Sequence, residues 1–182
     1  MLLQKFILLI ACAFALGSFA HAIDRPIAHP ISAPPLTQVI NNSGYIFQGT
    51  VTQVQWLPPR NPQDVATVQI TFRVSQGIRG VRPGQMFSIK EWAGLWDSND
   101  RYRVGQNVVL FLYRPSKLGL TSPVSGAMGK FVVGTGGLIG LSPVQRIFLS
   151  SDPIFGGEFH NNNVIRSRDF TNALRQIVGR AQ

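Results

Sequence analysis

Ala66-Thr67-Val68-Gln69-Ile70-Thr71-Phe72-Arg73-Val74-Ser75 alternates apolar and polar residues without a slip. Successive side chains of a strand point to opposite faces, so this period of two sets Val68, Ile70, Phe72 and Val74 on one buried face. Shorter strands follow on either side. Upstream, Tyr45-Ile46-Phe47 runs through Gly49 to Val54; the glycine predicts a bulge or bend, and Pro58, Pro59 and Pro62 end the run. Downstream, beyond the turns Gly77-Ile78-Arg79-Gly80 and Pro83-Gly84, a strand over 86–91 turns Phe87 and Ile89 the same way. Residues 107–113 are almost continuously apolar, which predicts a strand covered on both faces, stopped by Pro115. Phe131-Val132-Val133, Gly134-Thr135-Gly136-Gly137 and Leu138-Ile139 read as a hairpin, and Asn161-Asn162-Asn163 as a turn. Five or six short strands divided by turns fit a small closed OB-like barrel or a sandwich better than a parallel α/β sheet.

A helical period appears at the C-terminus alone, where Phe170, Ala173, Leu174, Ile177 and Val178 recur at steps of three and four. Ser167 is placed to cap this helix, Asp169 suits its first turn, Arg175 its last, and Gly179 its end. The expected fold is therefore mostly β, a five- to six-stranded barrel over 44–182 carrying one C-terminal α-helix.

Before it lies a leader. Lys5 supplies a positive n-region, residues 6–16 an apolar stretch, and Ala20-His21-Ala22 the small-x-small pattern of a cleavage site. The expected mature chain begins at Ile23 and is secreted or periplasmic. The apolar run is shorter than the roughly 20 residues of a membrane span. A rival reading takes Leu9-Ile10-Ala11-Cys12 as a lipoprotein box, which would strand the apolar residues 13–20 on the mature side. Residues 23–43 read as a proline-rich arm, extended by Pro26, Pro30, Pro34 and Pro35.

Cys12 is the chain's one cysteine, so cleavage leaves no disulfide and no thiolate metal site. Removing 22 of 182 residues leaves 160, enough for one domain with a core of its own. Of the 17 basic residues all but Lys5 remain, 16 against 8 acidic, a mature net charge of +8. That balance favours anionic partners or surfaces, although the charges are scattered rather than clustered.

Phe47-Gln48-Gly49-Thr50-Val51, Thr71-Phe72-Arg73-Val74, Gly77-Ile78-Arg79-Gly80 and Val104-Gly105-Gln106 before Val109-Leu110-Phe111-Leu112 resemble, in this order, the first half of the netrin-like domain. This is the fold of the tissue inhibitors of metalloproteinases, and the resemblance implies a five-stranded OB-type barrel with a binding role. The inhibitors chelate their target's zinc through a mature N-terminal cysteine. Here that position is Ile23, so the chelating mechanism does not carry over.

The sequence holds no recognisable catalytic motif, and an acid pair brought together by the fold stays open. His29 and His160 are far apart and lack neighbours at metal-ligand spacing, although Glu158 stands near His160. Gly126-Ala127-Met128-Gly129-Lys130-Phe131 lacks the earlier glycine and the Ser or Thr of a phosphate loop. No serine sits in a nucleophile elbow. No cofactor and no metal are expected.

The residues best suited to recognition lie between Trp92 and Arg103, where two tryptophans, a tyrosine, two acids and two arginines fall together. Trp92, Trp96, Asp97, Arg101, Tyr102 and Arg103 are the candidate partner-binding residues, since aromatics and arginine dominate binding hot spots. The competing reading folds Trp92 and Trp96 back as a lid on one end of the barrel. The expected function is a secreted, non-enzymatic binding module acting on a protein or anionic surface outside the cytoplasm. Two alternatives stand beside it. One is a polyanion or single-stranded nucleic-acid binder, against which export and the few lysines (Lys90, Lys117, Lys130) argue; the other is a secreted hydrolase, which would need an acid pair or nucleophile converging in a pocket.

Overall fold

The alternating stretch is the centre of strand β2 (Thr67–Arg79), and Val68, Ile70, Phe72 and Val74 are all buried. A computed structural model of the chain describes residues 34–97, 101–152 and 162–180, the side chain of Asp97 excepted. The leader, most of the arm, His29, Glu158 and His160 lie outside these residues. β2 pairs antiparallel with β1 (Tyr45–Leu57) and β3 (Met86–Trp92), and β1 pairs in turn with β4 (Asn107–Leu112). Beyond β4 come β5 (Lys130–Val133), β6 (Leu138–Gly140) and β7 (Val164–Arg166), completing one seven-stranded antiparallel sheet in the order β3-β2-β1-β4-β5-β6-β7.

The β1–β2 ladder slips register at three places, one of them between Gln48 and Gly49 where the glycine predicted a bulge. A Cβ on Gly49 would lie 3.0 Å from the Arg73 carbonyl, so the two strands approach closely only because it is missing. Bulges tighten twist and bend strands, and the result is visible at the edge. Residues 120–124 reach both β3 and β4: Thr121 N donates to Lys90 O at 2.9 Å, and Val124 N to Phe111 O at 2.8 Å. Strands β3, β2, β1 and β4 share one apolar interior, and residues 120–124 touch the two outer strands of this group through single bridges at Lys90 and Leu112.

The expected five or six strands are corrected to seven, and the sheet does not close on itself, because its edges are β3 and β7. The hydrogen-bonding edge of β4 that a closed barrel would use is shared: Asn107 to Leu110 pair with β5, leaving only its far end to residues 120–124. The expectation of a single helix is also corrected. Leu36, Val39 and Ile40, apolar at i, i+3 and i+4, form the buried side of α1 (Leu36–Asn42) at the end of the arm. A second helix, α2 (Pro143–Ser150), opens on a capping box of Ser142 and Gln145 with proline at its first position. The C-terminal helix, α3 (Ser167–Arg180), buries Phe170, Leu174, Ile177 and Val178 as its period predicted.

β4 is covered on both faces, as its unbroken apolar run implies. Val108, Leu110 and Leu112 join Phe47, Ile70, Phe72 and Ile89 in the core shared by β1 to β4. Val109 and Phe111 face the other way, into a second core with Phe131, Phe148 and Phe170 beneath α1, α2 and α3. Aromatic rings meet edge-on or tilted in both: Phe47 to Phe72 at 5.4 Å in the first, Phe131 to Phe170 at 4.9 Å in the second.

Candidate functional site

Along β3 the inward positions are Phe87, Ile89 and then Glu91, a carboxylate where the pattern calls for an apolar residue. Glu91 is 4% exposed. Burial of an ionised carboxylate is costly unless donors surround it, and both oxygens are met. Trp96 Nε1 donates to Oε2 at 3.2 Å and the Tyr102 hydroxyl to Oε1 at 3.2 Å. Both donors belong to the segment that follows β3, whose first part is a single 3-10 turn over Ala93–Asp97. Glu91 thus ties both Trp96 and Tyr102 to the end of β3.

Tyr102, also 4% exposed, packs edge-on against Phe72 at 5.6 Å and beside Trp96 at 6.0 Å. Above its ring sits the Nζ of Lys130, 4.2 Å from the centroid, a cation–π contact from a lysine 6% exposed. Lys130 reaches this place because β5 begins there. The 3-10 turn over Gly126–Gly129 delivers it, and Gln145 of α2 holds its carbonyl at 2.9 Å. Gly129 is required at the crossing: a Cβ would lie 2.4 Å from the Val124 carbonyl oxygen.

Two clefts open around this cluster. The larger, about 550 Å³, is lined by Glu91, Trp96, Tyr102, Tyr113, Ser125 and Lys130 among others. The second, about 430 Å³, is lined by Val54, Trp56, Val68, Trp96 and Arg101. Trp96 is the one side chain common to both. The pairing of Trp56 with Val68, and of Val68 with Glu91, sets these three residues side by side across β1, β2 and β3.

Of the residues singled out by sequence, Trp96, Arg101 and Tyr102 come together here. The Arg101 Nε donates to the Trp96 carbonyl at 2.9 Å and fixes the turn. Trp92 stands on the outward side of β3, 49% exposed, its ring against Gly94. Arg103 is exposed and its backbone N–H bonds the Gln106 side chain at 3.2 Å. The side chain of Asp97 lies outside the described residues. Trp96 is half-buried, packing on the core as a lid would while walling both clefts.

Sequence reading passed over Glu91, Trp56, Tyr113 and Lys130. Continuing the Phe87-Ile89 alternation one step would have turned Glu91 inward, and continuing Val54 would have found Trp56. Nothing local marks Lys130. Among the described residues no three His, Cys, Asp or Glu side chains gather into a metal site, and no helix is long and apolar enough to cross a membrane. The chain matches no protein-family model, no curated protein and no solved structure.

Proposed function

We propose that the protein is an exported, non-enzymatic binding module whose recognition site is the pair of clefts meeting at Trp96. One observation carries this reading: an indole pinned by a buried carboxylate is the shared wall of two open cavities. An aromatic anchor held before its ligand arrives loses little freedom on binding, which is how hot-spot residues gain their effect. The chemistry of Glu91 favours binding over hydrolysis. Each of its oxygens already accepts a hydrogen bond from the protein, the arrangement of an anchor rather than of a general acid.

The export half of the reading rests on the leader pattern over 1–22. The fold half extends the netrin-like resemblance: we read residues 120–124 as the fifth stave of an OB-type barrel with β1 to β4. Their parallel bridge to Lys90 and antiparallel bridge to Leu112 support it.

A photo-crosslinking benzophenone side chain in place of Tyr113, at the rim of the larger cleft, tests the binding site. The expected outcome is a covalent adduct with extracytoplasmic material from the native cell that disappears when Trp96→Ala is added. The same probe in place of exposed Val164, on β7, serves as control. Equal labelling from the two positions, or none from position 113, would remove the clefts as the site.

A further inference from the structure

We infer that the free edge of β3 receives an extended acidic peptide of a partner protein, paired there as one more strand. The site lies at the end of β3 away from Trp96 and shares no lining residue with the clefts proposed above.

Alternate residues of an antiparallel strand turn their backbone groups to opposite sides. In β3 the odd-numbered positions turn to β2: just before the strand Gln85 O accepts from Val74 N at 2.9 Å, and just after it Ala93 N donates to Ala66 O at 2.9 Å. Met86, Ser88 and Lys90 therefore turn outward. Lys90 is met, its carbonyl accepting from Thr121 N at 2.9 Å. Met86 and Ser88 are exposed, and among the described residues nothing bonds their outward backbone groups. The chain that pairs with Lys90 does not continue to them, because residues 116–120 close on themselves. Gly119 N donates to Ser116 O, and Ser116 N to Leu120 O, each at 2.8 Å.

Between that turn and the strand lies a cleft of about 230 Å³, walled by the four successive residues Phe87 to Lys90 and by Pro115, Gly119 and Thr121. Successive side chains point to opposite faces, so four in a row present the edge of the strand. Tyr45, its ring tilted against Phe87 at 4.9 Å, lines the same cleft. The volume falls below the roughly 300–1,000 Å³ of small-molecule sites and suits a single side chain. An extended peptide answers both features: its backbone pairs with Met86 and Ser88, and one apolar side chain enters the cleft beside Tyr45 and Phe87.

Charge sets the other side chains of the peptide. Residues 81–90 and 113–121, which hold the strand edge and the facing turn, contain Arg82, Lys90, Arg114 and Lys117 and no acid. All four are exposed, and none has a side-chain partner among the described residues. Arg73, opposite Met86 in the ladder, adds a fifth cation. Of the acids beside this stretch, Asp64 shares its cleft with Arg60, while Glu91 is buried and shares its cleft with buried Lys130. Cations along an edge keep like chains from pairing with it. The same cations select a strand in which carboxylates alternate with the inserted apolar residue.

The test pans a display library of short peptides against the protein, then synthesises the strongest and titrates it by fluorescence anisotropy. Selected sequences should alternate Asp or Glu with Val, Ile, Leu or Phe. Methylating alternate backbone nitrogens of the peptide should lower affinity about tenfold or more in one register and little in the other, since one set of N–H groups faces β3. Bound peptide should slow amide hydrogen exchange at Met86 and Ser88. Ser88→Pro deletes an outward donor at an edge position, where proline is tolerated, and should cost about tenfold in affinity. Lys117→Glu, on the exposed turn, should weaken binding, and Trp56→Ala, in the cleft at the other end, should leave it unchanged. A library that yields no acidic sequence, equal affinity for the two methylated forms, or exchange protection confined to residues around Trp96 would each overturn the inference. So would oligothymidine bound as tightly as the peptide, which would mean that charge alone holds the ligand.

Discussion

Glu91 does two things with one side chain: it orients Trp96 and holds Tyr102 against Phe72. Glu91→Ala would take this acceptor from the half-buried Trp96 indole N–H and from the buried Tyr102 phenol. Stranding partners of a buried charged group costs several kcal/mol, so a loss of about 2–4 kcal/mol is expected in urea melts. Glu91→Gln keeps the volume and one acceptor oxygen but points an amide donor at a donor. Its loss should be smaller, about 1–2 kcal/mol. Tryptophan fluorescence should shift in both, because Trp96 is released. A Glu91→Ala protein within about 0.5 kcal/mol of wild type, the range of a neutral surface change, would show that the carboxylate anchors nothing.

At the level of elements, α1 shows why a short helix is hard to read. It has seven residues, far fewer than an isolated helix needs in water, and its N-cap is Pro35, which offers no side-chain acceptor. Its ends are completed from elsewhere. Asp152, buried after α2, accepts from the Thr37 N–H at 3.1 Å, while the Arg79 guanidinium donates to the carbonyls of Ile40 and Ser43 at the other end. Negative charge at the N-terminus and positive at the C-terminus complement the helix dipole. Asp152→Ala should therefore cost about 1–2 kcal/mol, read as faster amide hydrogen exchange over residues 38–42 with β2 unchanged. Uniform acceleration across α1 and β2 would mean that Asp152 supports the whole fold instead. Strand β2 was legible because its period lies in adjacent residues, and β4 because an apolar run has a single meaning in a sheet. Leu36, Val39 and Ile40 carried the helical step, but four prolines upstream made the segment read as an arm. Trp96 and Tyr102 were legible as aromatics in a loop; their acceptor, Glu91, was hidden by being counted as the end of a strand. Lys130 joins them only through the fold.

For the whole molecule, β4 is the partition between two apolar cores, with Val108, Leu110 and Leu112 on one side and Val109 and Phe111 on the other. Substitutions there disturb both, so the strand should tolerate change least. The proposed export is tested at this scale as well: intact-mass analysis of product recovered outside the cytoplasm should give a chain beginning at Ile23. A product lipidated on Cys12 would refute the assigned cleavage site. The clasp on α1 also sets an order of events. Thr37 and Asp152 are 115 positions apart. A chain that emerges N-terminus first, from a ribosome or through a translocation pore, presents residues 36–42 long before their cap exists. Strands β1 to β4, residues 120–124 and α2 are all out by then, and only β7 and α3 are still to come among the described elements. Seating of α1 thus waits until Asp152 has emerged, later than every strand from β1 to β6.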